Sequence, residues 1–179
     1  MFSGTRVFKD KGVPTLKDLA ISLCRTPMFA GAAKRHYSVA HHSLGVAFLM
    51  PKHKIYGLFH EAEVPVLGDC PGPAKVNGQY ELDNRIRNDF IRSLGLPVVT
   101  PEIWRMVEEA DYLDQAASAR FLGHPDALEA WPAREALDEA MDNVKMLYNE
   151  HPPHLQLEED SSLVKMFMWY ATDLIADNN

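Results

Sequence analysis

Apolar residues recur at three- and four-residue intervals along most of the chain, and no segment shows the alternation of a half-buried strand. That period predicts a helix over residues 15–25 (TLKDLAISLCR), opened by Thr15. A second is predicted over 38–50, where Val39, His42, Val46 and Leu49 share a face, Ser38 is placed to cap the start and Pro51 stops the helix. Residues 54–64 (KIYGLFHEAEV) read as a third, ended near Pro65. The Gly- and Pro-rich stretch after it reads as a loop. Residues 79–95 form an amphipathic helix with Leu82, Ile86 and Phe90 on one face and Gly95 as its stop. Thr100 followed by Pro101 is a strong start for residues 101–121, which put Trp104, Val107, Asp111 and Ser118 on one face. Two more helices are expected over 134–149 and 161–176. The expected fold is all-α, about seven helices in a single domain spanning 1–179, with connections short enough for one core.

Composition narrows the class. The chain has 179 residues, 46% apolar and 24% charged, which excludes a disordered or collagen-like protein and is enough to bury a core. The longest apolar stretch, around residues 44–50, is far too short to cross a bilayer, so no membrane partner is expected. The first residues, MFSGTRVFKDKG, are charged where a secretory leader is apolar. Cys24 and Cys70 make no disulfide framework, and a reducing cytoplasm is the expected compartment. The net charge of −7 hides an asymmetry: residues 1–60 carry nine Lys/Arg against Asp10 and Asp18, and the acidic excess lies beyond them. The acidic total argues against a nucleic-acid polymer as partner, while the basic first third suits a small anion such as a phosphate.

Four residues carry candidate chemistry. His42 and Asp111 lie on apolar helix faces, and His60 and Glu61 are adjacent. Two imidazoles and two carboxylates form a mixed N/O set suited to one divalent first-row metal ion, with Zn, Mn, Co, Ni and Fe all open. A cation also explains how acids share a core with Trp104 and Val46, because a buried carboxylate is costly without a compensating charge. On a regular helix, His60 and Glu61 point about 100° apart, so they would meet a common ion only at the edge of a groove between helices. The pair is not an HExxH zinc motif, since Val64 occupies the second histidine position. The plainer alternative is a helical interaction module in which these four are hydrogen-bonded core residues.

Several segments together resemble the HD-domain phosphohydrolases. RHYSVAHHSLGVA (35–47) is similar to that family's first-histidine motif, FHEAEVPVLGDCPGPAK (59–75) to its HD segment with a trailing G-D-x-P-x-P-x-K, and EEADYLDQAASAR (108–120) to its late A-D segment. LKDLAISLCRTPMFAG (16–31) resembles the substrate-side helix and its turn, so the likeness covers roughly residues 3–120. The nearest groups are the bacterial 5′-deoxynucleotidases and the phage dATP triphosphohydrolases. The resemblance implies an HD-type helical bundle, metal ligands at His42, His60, Glu61 and Asp111, and an acid acting on water or leaving group at Asp69. It implies phosphate contacts from Arg25, Lys34, Arg35 or Lys75, and Met28 and Phe29 facing a base.

The activity that the resemblance implies is metal-dependent hydrolysis of a deoxynucleotide. The first expectation is dATP to deoxyadenosine plus triphosphate, in a phage using a modified adenine. The alternatives are a 5′-deoxynucleotidase acting on dNMPs and a non-catalytic nucleotide-binding relative. Relatives form compact oligomers from dimers to hexamers, so self-association is expected, with the helices at 134–149 and 161–176 as candidate interface. The chain departs from the family pattern at His60-Glu61, where His-Asp is usual. The usual catalytic Glu position holds Val64, which leaves Glu63, about 100° round a helix, or Asp69 for that role. Met28 stands where Arg is frequent, and Ser118 where Glu is frequent.

Overall fold

The computed structural model describes residues 13–69, 78–130, 136–152 and 158–178. Among these residues the fold is all-α, with nine helices and no strand. They are α1 (Leu16–Arg25), α2 (Val39–Leu49), α3 (Lys54–Leu58), α4 (Val64–Leu67), α5 (Gln79–Ser93), α6 (Pro101–Leu122), α7 (Ala127–Ala130), α8 (Leu137–Glu150) and α9 (Ser162–Asp177). A short 3-10 turn, Met28–Gly31, joins α1 towards α2. The seven expected helices are all present, although the first residues expected in α8 lie outside the described ones. The short α4 and α7 are additional.

Capping chemistry sets these boundaries, as read from the sequence at Thr15, Ser38 and Thr100. Thr15 and Ser38 each close a reciprocal capping box, with Asp18 and His41 as the answering side chains. Thr100 accepts from the amide of Ile103, and Gly123, in the left-handed region at φ 74°, ends α6.

The 22-residue α6 and the buried α2 organise the bundle. Residues 39–47 of α2 are buried on every side, the signature of a central helix. It packs against α1, α3, α6, α8 and α9. Phe59, Phe90 and Phe167 meet in the core, with ring centroids 5.2 and 6.5 Å from Phe59. In α5 the expected face is displaced. Leu82 and Ile86 are half-buried, and the buried positions are Asp83, Arg87, Phe90 and Ile91. Two polar side chains are buried here because this face of α5 walls a cavity.

The third helix is the main departure. The apolar period predicts it over 54–64, but it stops at Leu58, and residues 59–63 form tight turns before α4. In a continued helix the Gly57 carbonyl would accept from a backbone amide; here it accepts from His60 Nδ1 at 2.7 Å. A side chain that competes for a backbone acceptor in this way disfavours the regular helix. Pro65, lacking an amide hydrogen, sits in the first turn of α4, where that loss is harmless. The consequence is that His60 and Glu61 are carried on a turn and not on a helix face.

Cys24 is buried in α1, and burial pushes its thiol pKa up to about 12. Cys24 is therefore expected to resist iodoacetamide in the native protein and to react only after denaturation, read by peptide mass mapping. Labelling of Cys24 at the rate of a free thiol would contradict this. Among the described residues, no helix is long and apolar enough to cross a membrane.

Candidate metal centre

The site forms where the first turn of α2, the turn after α3 and the middle of α6 converge. His42, fully buried, lies in the first turn of α2. Its Nδ1 is 2.7 Å from Asp114 Oδ2, and its Nε2 is 3.0 Å from Asp111 Oδ1. His60 donates through Nδ1 to the Gly57 carbonyl, which can only accept, so its Nε2 carries the lone pair when the ring is neutral. The same logic applies to His42, whose Nδ1–H donates to the Asp114 carboxylate. The two Nε2 atoms then face each other at 3.1 Å, and His60 Nε2 is 3.7 Å from Asp111 Oδ1.

With both rings neutral, two imidazole lone pairs and a carboxylate oxygen converge on one point, and they repel unless a proton or a metal cation sits among them. Donors sharing a tetrahedral ion with bonds of about 2.1 Å stand about 3.4 Å apart, close to the separations here. His42, His60 and Asp111 therefore form a group that could hold a metal ion. Glu61 stands at its rim, with Oε1 3.6 Å from His60 Nε2 and 4.0 Å from His42 Nε2.

The electrostatics agree with a cation position. Burial opposes charge on His42, yet hydrogen bonds to Asp111 and Asp114 hold its pKa well above the usual imidazole value. Burial also works against ionised Asp111, but hydrogen bonds from His42 and His60 hold it far below the usual carboxylate range. Glu61 is raised to about 7 by burial, with the His60 charge opposing and the Glu63 charge adding. The pocket thus favours positive charge on the His42 ring and a full negative charge at Asp111.

A cavity of about 670 Å³ opens over this centre, in the size range of small-molecule sites. His60, Glu61, Glu63, Asp69, Asp111, Met28 and Phe29 line it, and His42 lies beneath. Phe29 reaches the wall from a left-handed backbone (φ 56°), a costly conformation for an aromatic residue, and packs 5.0 Å from His124. The wall also holds a buried ion pair. Arg87 donates to both oxygens of Glu63 at 3.3 Å and to Asn84, and lies 4.3 Å from the centroid of Trp104.

Arg25, Lys34 and Arg35 do not line the cavity. All three are exposed; Arg35 stacks on Phe121, and the Lys34 stem runs beside Gly123. Lys75 lies outside the described residues. Ser118 is buried and donates to the Gln115 carbonyl within α6. Two residues at the site are absent from the sequence-based candidates. Asp114 was signalled by its place seven after Val107, on the buried side of α6, whereas Arg87 carries no local signal, because only tertiary packing brings it to Glu63.

No family profile matches the sequence. The uncharacterized protein YfdR of Escherichia coli (strain K12) is 30% identical over 142 residues, covering 76% of this chain and 78% of that protein. With that identity over that share of both chains, this protein belongs to the same family as YfdR.

Proposed function

We propose that the protein is a metal-dependent phosphohydrolase acting on deoxynucleotides. The observation that carries this reading is the convergence of His42 Nε2, His60 Nε2 and Asp111 Oδ1 at the floor of a cavity of nucleotide size. When bound there, a divalent ion supplies polarisation of a phosphate oxygen and a more acidic water. His42, His60 and Asp111 hold that position, and Glu61 adds a carboxylate at the rim.

The remaining roles divide by geometry. Both oxygens of Glu63 are occupied by Arg87, so Glu63 anchors the wall. Asp69 is then the better placed acid to take a proton from water or give one to the leaving 5′ oxygen. Met28, Phe29 and Trp104 offer apolar and aromatic surface to a base.

Charge favours the monophosphate among the two substrate classes. Among the described lining residues, carboxylates at positions 61, 63, 69, 83, 108, 111 and 126 surround the arginine at 87. A triphosphate would add up to about four negative charges to that wall, whereas a monophosphate dianion adds about two. The dATP triphosphohydrolase reading retains the support of the motif resemblance alone.

The test is product analysis. Protein loaded with Mn²⁺, Co²⁺ or Zn²⁺ is incubated with each dNMP and dNTP, and orthophosphate and triphosphate are resolved. Orthophosphate from dNMPs is the expected result. Triphosphate from dATP alone would replace it with the triphosphohydrolase reading. Ion binding without turnover of any nucleotide would leave a non-catalytic nucleotide-binding protein.

A further inference from the structure

We infer that Asp114 is a positioning residue for the metal centre and that Gly45 is the gap in α2 that lets it act. This role rests on His42, His60 and Asp111 being an ion site, and it concerns what aims His42 at that site.

Asp114 is fully buried in the middle of α6, three residues after Asp111. Its Oδ2 is 2.7 Å from His42 Nδ1, while Oδ1 is buried without a hydrogen-bond partner among the described residues. A buried carboxylate with one oxygen left over is expensive to keep. What it does is fix the ring: with Nδ1–H held by Asp114, the neutral imidazole that an ion requires must present its Nε2 lone pair towards His60 and Asp111. A carboxylate in this relation also makes the opposite ring nitrogen more basic.

Gly45, one turn after His42, makes room for this. A Cβ built at position 45 would overlap Asp114 Oδ1 and come within 2.9 Å of its Cγ. The obstacle is a side chain confined between two packed helices, so it has little room to retreat. Glycine is costly inside a helix, by about 0.5–1 kcal/mol relative to alanine, and its φ here is ordinary, so close approach is the reason for it. Gly45 and Asp114 therefore act as one device, and a methyl group at 45 should imitate the loss of the carboxylate without touching any ligand.

The experiment titrates Co²⁺ alone into the metal-free full chain by calorimetry, alongside circular-dichroism melting. Wild type is expected to take up one ion per chain, and Asp111→Asn to lose it. Asp114→Asn, nearly isosteric, is expected to keep a cooperative melt while binding about 10–100-fold more weakly, and Gly45→Ala to weaken binding similarly. Gly45→Ala/Asp114→Ser removes the overlap, so its melt should recover towards wild type while affinity stays low. A purely packing role would instead restore affinity together with the melt, and that result would overturn the inference. So would wild-type affinity in Asp114→Asn when Asp111→Asn has lost the ion. Failure of wild type itself to bind would remove the ion site, and the inference with it. Should Gly45→Ala not fold, Asp114→Asn decides alone.

Discussion

On the proposed phosphohydrolase function, Asp111→Asn is expected to lower nucleotide hydrolysis by on the order of a thousandfold, equivalent to about 4 kcal/mol of transition-state stabilisation. Asp111 Oδ1 is the negative donor shared by His42 and His60, at 3.0 and 3.7 Å. Asparagine keeps the shape and removes the charge, so the two Nε2 atoms lose the group that draws a cation between them. The same substitution should abolish stabilisation by the ion. At a hundred times the dissociation constant, bound ion adds about 2.7 kcal/mol to wild type, a rise of about 5–10 °C in melting temperature for a domain of this size. The metal-free wild type holds the His42 ring protonated above its usual pKa, so ion uptake should also release a proton into the buffer. Scanning calorimetry with and without Co²⁺, beside a phosphate-release assay, reads both effects. A variant that kept the ion-dependent rise and the rate would remove Asp111 from the centre.

Arg87→Met is expected to cost about 3–5 kcal/mol of folding stability, read as a shift of the urea midpoint. The Glu63–Arg87 pair is buried on both sides, and each guanidinium edge facing Glu63 satisfies one carboxylate oxygen. Removing the arginine strands the Glu63 carboxylate in the cavity wall and strips the Trp104 face of its cation. Against a total stability of about 5–15 kcal/mol, that loss is large. Glu63→Leu/Arg87→Met should recover most of it, because replacing a buried ion pair by apolar side chains is often neutral or better. A loss below about 1 kcal/mol in the single variant would mean that solvent screens the pair.

Much of the fold is legible in the sequence because helix signals are local. The three- and four-residue spacing locates seven helices, and Thr15, Ser38 and Thr100 open three of them through hydrogen bonds reaching a few residues along the chain. The third helix is misread past Leu58 because its period carries no sign that a His60 nitrogen would take the Gly57 carbonyl. The buried side of α5 is misplaced for a related reason. Apolar periodicity finds the face that meets oil, whereas Asp83 and Arg87 are buried against a polar cavity.

The candidate site divides along the same line. His42, His60, Glu61 and Asp111 stand out as residue types, and the structure draws three of them into one group with the fourth at its edge. Of the cations in the basic first third, Arg25, Lys34 and Arg35 stay away from the cavity lining, since charge composition says nothing about direction. The sequence by itself determined the helices, their caps and the chemical kinds of donor available. Only the tertiary structure decided that His42 would meet Asp114 across 72 residues, that Gly45 would let them meet, and that Arg87 would engage Glu63. Local periodicity records how a side chain points from its own helix axis, and the packing of one helix on another fixes which partner it finds there.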